Sequence, residues 1–98
     1  MDNINDQSGT EMVRTFTIKN KLGLHARAAS QFVQVASRFE SDIYVIKNEQ
    51  EVNGKSIMGI LILAAPRGSE ITVKAAGADA SGALDAIGEL IDNRFGEE

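Results

Sequence analysis

The 98 residues, 43% hydrophobic and 24% charged, suffice for one small globular domain around a single two-layer core and exclude a two-domain enzyme. The net charge is -4, but Asp2, Asp6, Glu11, Glu97 and Glu98 carry five of the fourteen acidic charges, so the remainder is close to neutral. With no cysteine and no tryptophan, disulfides, thiolate catalysis and cysteine-based zinc sites fall away, and the core must come mainly from Ile, Leu, Val and Ala.

Residues 1–11 are polar and aperiodic and read as a flexible arm, which leaves 12–98 as the folded domain. The first ten residues carry no basic segment or apolar run of the signal-peptide kind. The longest apolar run, Ile57 to Ala65, is interrupted by Gly59 and stopped by Pro66, far short of the roughly 20 residues of a membrane helix. A cytoplasmic protein with no membrane segment is expected.

Arg14 to Lys19 alternates, with Phe16 and Ile18 on one face and Thr15 and Thr17 on the other, and predicts a first strand. After a loop over 20–24, Ala29, Phe32, Val33, Ala36 and Phe39 recur at helical spacing, with Ser30, Gln31, Gln34, Ser37 and Arg38 opposite them. Asp42 to Lys47 is rich in Ile, Tyr and Val and, with a turn over 48–50 and a short strand around Val52, predicts a hairpin. Asn53-Gly54 marks a turn, and the Ser56 hydroxyl stands where it could cap a short apolar helix from Ile57 to about Leu63. Ile71, Val73 and Ala75 alternate in a further strand; Asp79 could cap a last helix carrying Ala80, Ala83, Leu84, Ile87, Leu90 and Ile91 and running to about Arg94. The order β-α-β-β-α-β-α, with one apolar face per helix, packs most simply as an α+β fold with helices on one side of an antiparallel sheet.

His25 is the only histidine, and a lone histidine is more often structural or merely exposed than reactive. Its setting favours more. Gly23-Leu24 lets the backbone approach closely, His25 enters at a helix start, and the N–H groups of Ala26 and Arg27 are among the unpaired donors there, which suits an anion. A neutral imidazole can attack phosphorus, and the phosphoimidazole would meet the positive helix end and the Arg27 cation. No second acid, base or substrate pocket accompanies it, so a phosphoryl carrier fits better than an enzyme. No cofactor is implied, and a single imidazole without clustered carboxylates implies no metal. Lys and Arg are spread along the chain with few aromatics, which argues against nucleic acid.

N-K-L-G-L-H-A-R at 20–27, G-K-S-I-M-G at 54–59 and A-A-G-A-D-A-S-G-A-L at 75–84 resemble the HPr phosphocarrier family of the bacterial phosphotransferase system, over essentially residues 13–95. The resemblance implies an open-faced β-sandwich with sheet order 1-4-2-3 and three helices on one face. It further implies phosphoryl transfer from phosphoenolpyruvate through Enzyme I to Nδ1 of His25, steadied by Arg27, and onward to IIA proteins of a sugar or nitrogen branch. Ser56, within Lys55, Ile57, Met58 and Gly59, lies where many members are phosphorylated by an HPr kinase/phosphorylase. Leu24, Ile57, Met58 and Leu61, beside Arg27, would form an apolar docking patch with Lys21 and Lys55 on its rim, and a monomer is expected. Ala28 departs from the proline usual after the arginine, which implies a slightly softer site. The alternative reading is a regulatory module acting through Ser56 with little transfer at His25.

Overall fold

The computed structural model describes residues 11–97. Its elements are β1 (Glu11–Thr17), α1 (Ala26–Ala36), β2 (Asp42–Lys47), β3 (Gln50–Asn53), α2 (Ile57–Leu63), β4 (Glu70–Ala76) and α3 (Ala80–Asp92), with a final 3-10 turn over Arg94–Gly96. The arm expected over 1–11 lies outside the described residues except for Glu11, which opens β1. All strand pairs are antiparallel, in the order β1-β4-β2-β3, and the three helices cover one face of the sheet.

The sheet turns every second side chain toward the helices. Ile43 and Val45 of β2 and Ile71, Val73 and Ala75 of β4 are buried, and Phe32 of α1, Ile60 of α2 and Leu84, Ile87 and Ile91 of α3 close over them. The opposite face of the sheet is polar: Thr15 and Thr72 pair hydroxyls at 3.2 Å, and the Lys74 ammonium lies 5.8 Å from the Tyr44 ring centre and 3.8 Å from Glu51.

β1 is set differently from the strand expected over 14–19. It runs from Glu11 to Thr17 because all seven residues of β4 pair with it, from Glu11 against Ala76 to Thr17 against Glu70. Glu11, Met12 and Val13 are all exposed, so that segment shows no inside-outside alternation to read. The hairpin turn is shorter than expected: Gln50 already pairs with Lys47, leaving Asn48 and Glu49 as a two-residue turn with Asn48 in the left-handed region at φ 58°. Phe39 lies beyond α1, which ends at Ala36, yet it still packs against the core. At the far end α3 stops at Asp92, and Arg94 and Phe95 both adopt left-handed backbone that turns the Phe95 ring back into the core.

Asp79 precedes α3 without capping it. Its carboxylate reaches instead to the turn between α1 and β2, where it accepts the N–H groups of Glu40 at 2.9 Å and Ser41 at 3.0 Å and the hydroxyl of the buried Ser41. The Ser41 hydroxyl and then the Glu40 N–H outweigh desolvation and hold this carboxyl below its usual range. A folded-state value below the unfolded one means a stabilising contribution that is complete above about pH 4 and lost as the pH falls below it. Asp79→Asn should therefore be less stable than the parent above about pH 4, and the two urea midpoints should converge as the pH falls progressively below that. Parallel midpoints across that range would contradict the role given to the charge.

Candidate functional site

The loop between β1 and α1 is built by backbone contacts around Gly23. Gly23 N–H donates to Asn20 O at 3.2 Å, the Asn20 side-chain Nδ2 donates to Gly23 O at 2.7 Å, and Leu24 N–H donates to Ala65 O at 2.9 Å, just beyond α2. Gly23 sits at φ +69°, and a Cβ there would lie 2.5 Å from Ala65 O and 2.9 Å from the Pro66 Cα. Only glycine permits both the conformation and the approach. The next residue but one, His25, is thereby delivered to the N-cap of α1 in extended backbone, and its carbonyl accepts the Ala29 N–H at 2.8 Å to start the helix.

The His25 imidazole is partly exposed and meets a different partner at each nitrogen. Nδ1 accepts the N–H of Arg27 at 3.3 Å, while Nε2 lies 3.3 Å from Oε2 of Glu97. That carboxylate is held on its other sides, Oε1 accepting the Leu22 N–H at 3.1 Å and Oε2 the Asn20 Nδ2–H at 3.3 Å. Burial opposes ionisation of Glu97, but the donors from Leu22, Asn20, His25 and the Lys21 backbone together prevail and keep its carboxyl below the usual range. Phe95, buried in the core two residues earlier, anchors this end of the chain. Together Leu22, His25, Arg27, Ala28, Phe95 and Glu97 line a concavity of about 70 Å³. A second groove of about 210 Å³ lies between α1 and α3, and its lining, Val35, Arg38, Ala86, Glu89, Leu90 and Asn93, offers no nucleophile.

Residues 12–93 match the family model described as "PTS HPr component phosphorylation site". The chain belongs to the HPr family. It is 50% identical over 84 residues to the phosphocarrier protein HPr of Neisseria meningitidis, covering 86% of this chain and 94% of that one. The phosphocarrier protein NPr of Shewanella violacea is 43% identical over 88 residues, covering 90% and 97%. The crystal structure of HPr from Thermoanaerobacter tengcongensis superposes with a TM-score of 0.86 at 48% identity, over 89% of this chain and 98% of that one. The fold expected from the resemblance, including the 1-4-2-3 sheet order, is the fold observed.

Within this HPr fold the expected site residues separate into distinct settings. Arg27, exposed on the first turn of α1, stands beside His25, and Lys21 is exposed on the preceding loop. Ser56 caps α2 as expected, its Oγ accepting the Gly59 N–H at 3.0 Å. Lys55 does not project freely as a rim charge, because its Nζ donates to Phe39 O at 2.7 Å. Leu24 cannot join an exposed apolar patch: it is only 4% exposed, drawn into the core by the same loop that needs Gly23. Leu22, 64% exposed, is the apolar side chain this loop presents. On α2, Ile57 at 45%, Met58 at 67% and Ile62 at 54% face out, whereas Leu61 is half-buried against the core. Ala28 is fully buried on the first turn of α1.

Among the described residues no three His, Cys, Asp or Glu side chains converge as metal ligands, and no helix is long and apolar enough to cross a membrane. Glu97, Asn20 and Phe95 were not legible as site residues, since the C-terminal turn and the His25 loop meet only through tertiary packing. The left-handed turn after α3, with its Phe-Gly pair at 95–96, is the one local hint that the chain doubles back there.

Gly23→Ala should cost about 1–3 kcal/mol in a urea unfolding experiment, through the positive φ and the clash with Ala65 O. Amide shifts of Leu24, His25 and Arg27 should move with it. An unchanged midpoint with unmoved amides would show that the loop does not depend on this approach.

Proposed function

We propose that this HPr-family chain carries a phosphoryl group on Nδ1 of His25, accepting it from Enzyme I and passing it to IIA proteins of a sugar or nitrogen branch in the cytoplasm. The observation that carries this reading is the Arg27 N–H donating to Nδ1, since a ring nitrogen that accepts a hydrogen bond bears no proton and holds the lone pair that attacks phosphorus once that N–H turns to a phosphoryl oxygen. The Nδ1 lone pair forms the new P–N bond as the donor's bond to phosphorus breaks and its electron pair leaves with the donor. The phosphoryl oxygens then meet the N–H groups at the start of α1 and the Arg27 guanidinium, where the helix end and the cation both favour negative charge.

The 70 Å³ concavity beside His25 is well below the roughly 300–1,000 Å³ of small-molecule sites. Both donor and acceptor of the phosphoryl group are therefore taken to be proteins that bring their own active sites, and the chain acts as a carrier and not as an enzyme. Leu22, Ile57, Met58 and Ile62, with Lys21 and Arg27 among them, supply an apolar and positively charged surface for such transient docking by a monomer. Ser56 is the proposed regulatory site: a phosphate on its Oγ would replace the neutral cap of α2 with a dianion next to Ile57 and Met58, favourable at the helix start and adverse to docking. An HPr kinase/phosphorylase is its expected modifier.

Intact mass after incubation with phosphoenolpyruvate and Enzyme I, beside an HPr of known activity, should show one acid-labile phosphoryl group. His25→Ala should remove it while leaving the unfolding midpoint within about 1 kcal/mol, because a partly exposed N-cap side chain contributes little packing. In the same assay Ser56→Asp should slow transfer roughly tenfold, about 1.4 kcal/mol, without unfolding the protein. Labelling that persists in His25→Ala would overturn the carrier reading, and a control that labels while this chain does not would favour regulation through Ser56.

A further inference from the structure

We propose that Glu97 is a positioning residue that fixes the His25 imidazole as the Nε2–H tautomer, an assignment that rests on the proposed carrier reading for its purpose but not for its test. The two ring contacts independently demand the same tautomer. Nδ1 faces a donor, the Arg27 N–H at 3.3 Å, and must hold a lone pair; Nε2 faces an acceptor, Glu97 Oε2 at 3.3 Å, and is best protonated. A neutral imidazole carries a single ring proton, so satisfying one contact satisfies the other.

Glu97 can do this because its carboxylate is itself held in place. The Leu22 N–H and the Asn20 amide bind it from the loop, its own N–H donates to Arg94 O at 2.8 Å, and Phe95 locks the turn into the core. Asn20 is fully buried and has its amide oriented by a second acceptor, Gly23 O, so the nitrogen facing Glu97 is fixed. Hydrogen bonds that favour the carboxylate keep Glu97 charged at neutral pH.

The consequence for transfer is a matter of where the ring proton sits. When the Nδ1 lone pair bonds to phosphorus and the donor departs with its electron pair, no proton has to leave Nδ1, and the Nε2–H remains on the ring. The ring then carries positive charge, with the Glu97 carboxylate 3.3 Å from the nitrogen that bears the proton. The same contact that selects the nucleophile thus stabilises the phosphorylated ring and relaxes no proton into solvent during the step.

The test is long-range ¹H–¹⁵N correlation of the His25 ring on the unphosphorylated full chain in alkaline buffer. The parent should show Nε2 protonated and Nδ1 bare. Glu97→Ala should shift the tautomer ratio roughly tenfold toward Nδ1–H, the scale of losing a contact with a charged acceptor. Glu97→Gln, which keeps an oxygen there, should restore the Nε2–H form, a rescue that a purely structural role for Glu97 would not produce. A parent ring protonated on Nδ1, or a ratio unmoved in Glu97→Ala, would overturn the assignment. Should the ratios behave as expected while Enzyme I fails to label the chain, the tautomer assignment stands and the carrier reading falls.

Discussion

The hydrogen bond from Leu24 N–H to Ala65 O, 2.9 Å long, ties the loop ahead of α1 to the chain leaving α2. It can form only because Gly23 lets two backbones pass with no side chain between them. From that contact the rest follows. Leu24 is pulled into the core, Leu22 is turned outward, and His25 arrives at the helix start with its Nδ1 over the Arg27 N–H. The backbone thus does the placing, and the imidazole needs no enclosing pocket.

A second constraint arrives from the far end of the chain. The left-handed pair at Arg94 and Phe95 is unfavourable by itself and persists because the Phe95 ring is buried. With that ring in the core, Glu97 stands against Leu22, Asn20 and His25. The site therefore has a cationic side, Arg27 and the start of α1, where the proposed phosphoryl group would sit, and an anionic side at Nε2. An imidazole between the two is polarised along the axis that a phosphoryl carrier needs.

Much of this was legible in the residues. Period-two burial in Ile43, Val45, Ile71, Val73 and Ala75 and helical spacing in α1 and α3 lie in the local pattern, and so do the Ser56 cap and the glycine ahead of His25. What was not legible depends on partners distant in sequence. The first three residues of β1 have no buried face and are strand only because β4 is there to pair with them. Asp79 looks like a helix cap from its neighbours, yet the Glu40 and Ser41 donors offer its carboxylate more. Leu24 looks like surface beside the lone histidine until the approach to Ala65 buries it, and Glu97 is 72 positions from the ring it contacts.

The most direct test of the account is to locate the phosphorus atom. The chain, labelled with ¹⁵N in its imidazole and phosphorylated through Enzyme I, should show ³¹P–¹⁵N coupling to Nδ1 of His25, with the Arg27 amide proton shifted as it passes from the ring nitrogen to a phosphoryl oxygen. Coupling to Nε2, or phosphorus on any other residue, would contradict the placement of the nucleophile from which the rest of the account is built.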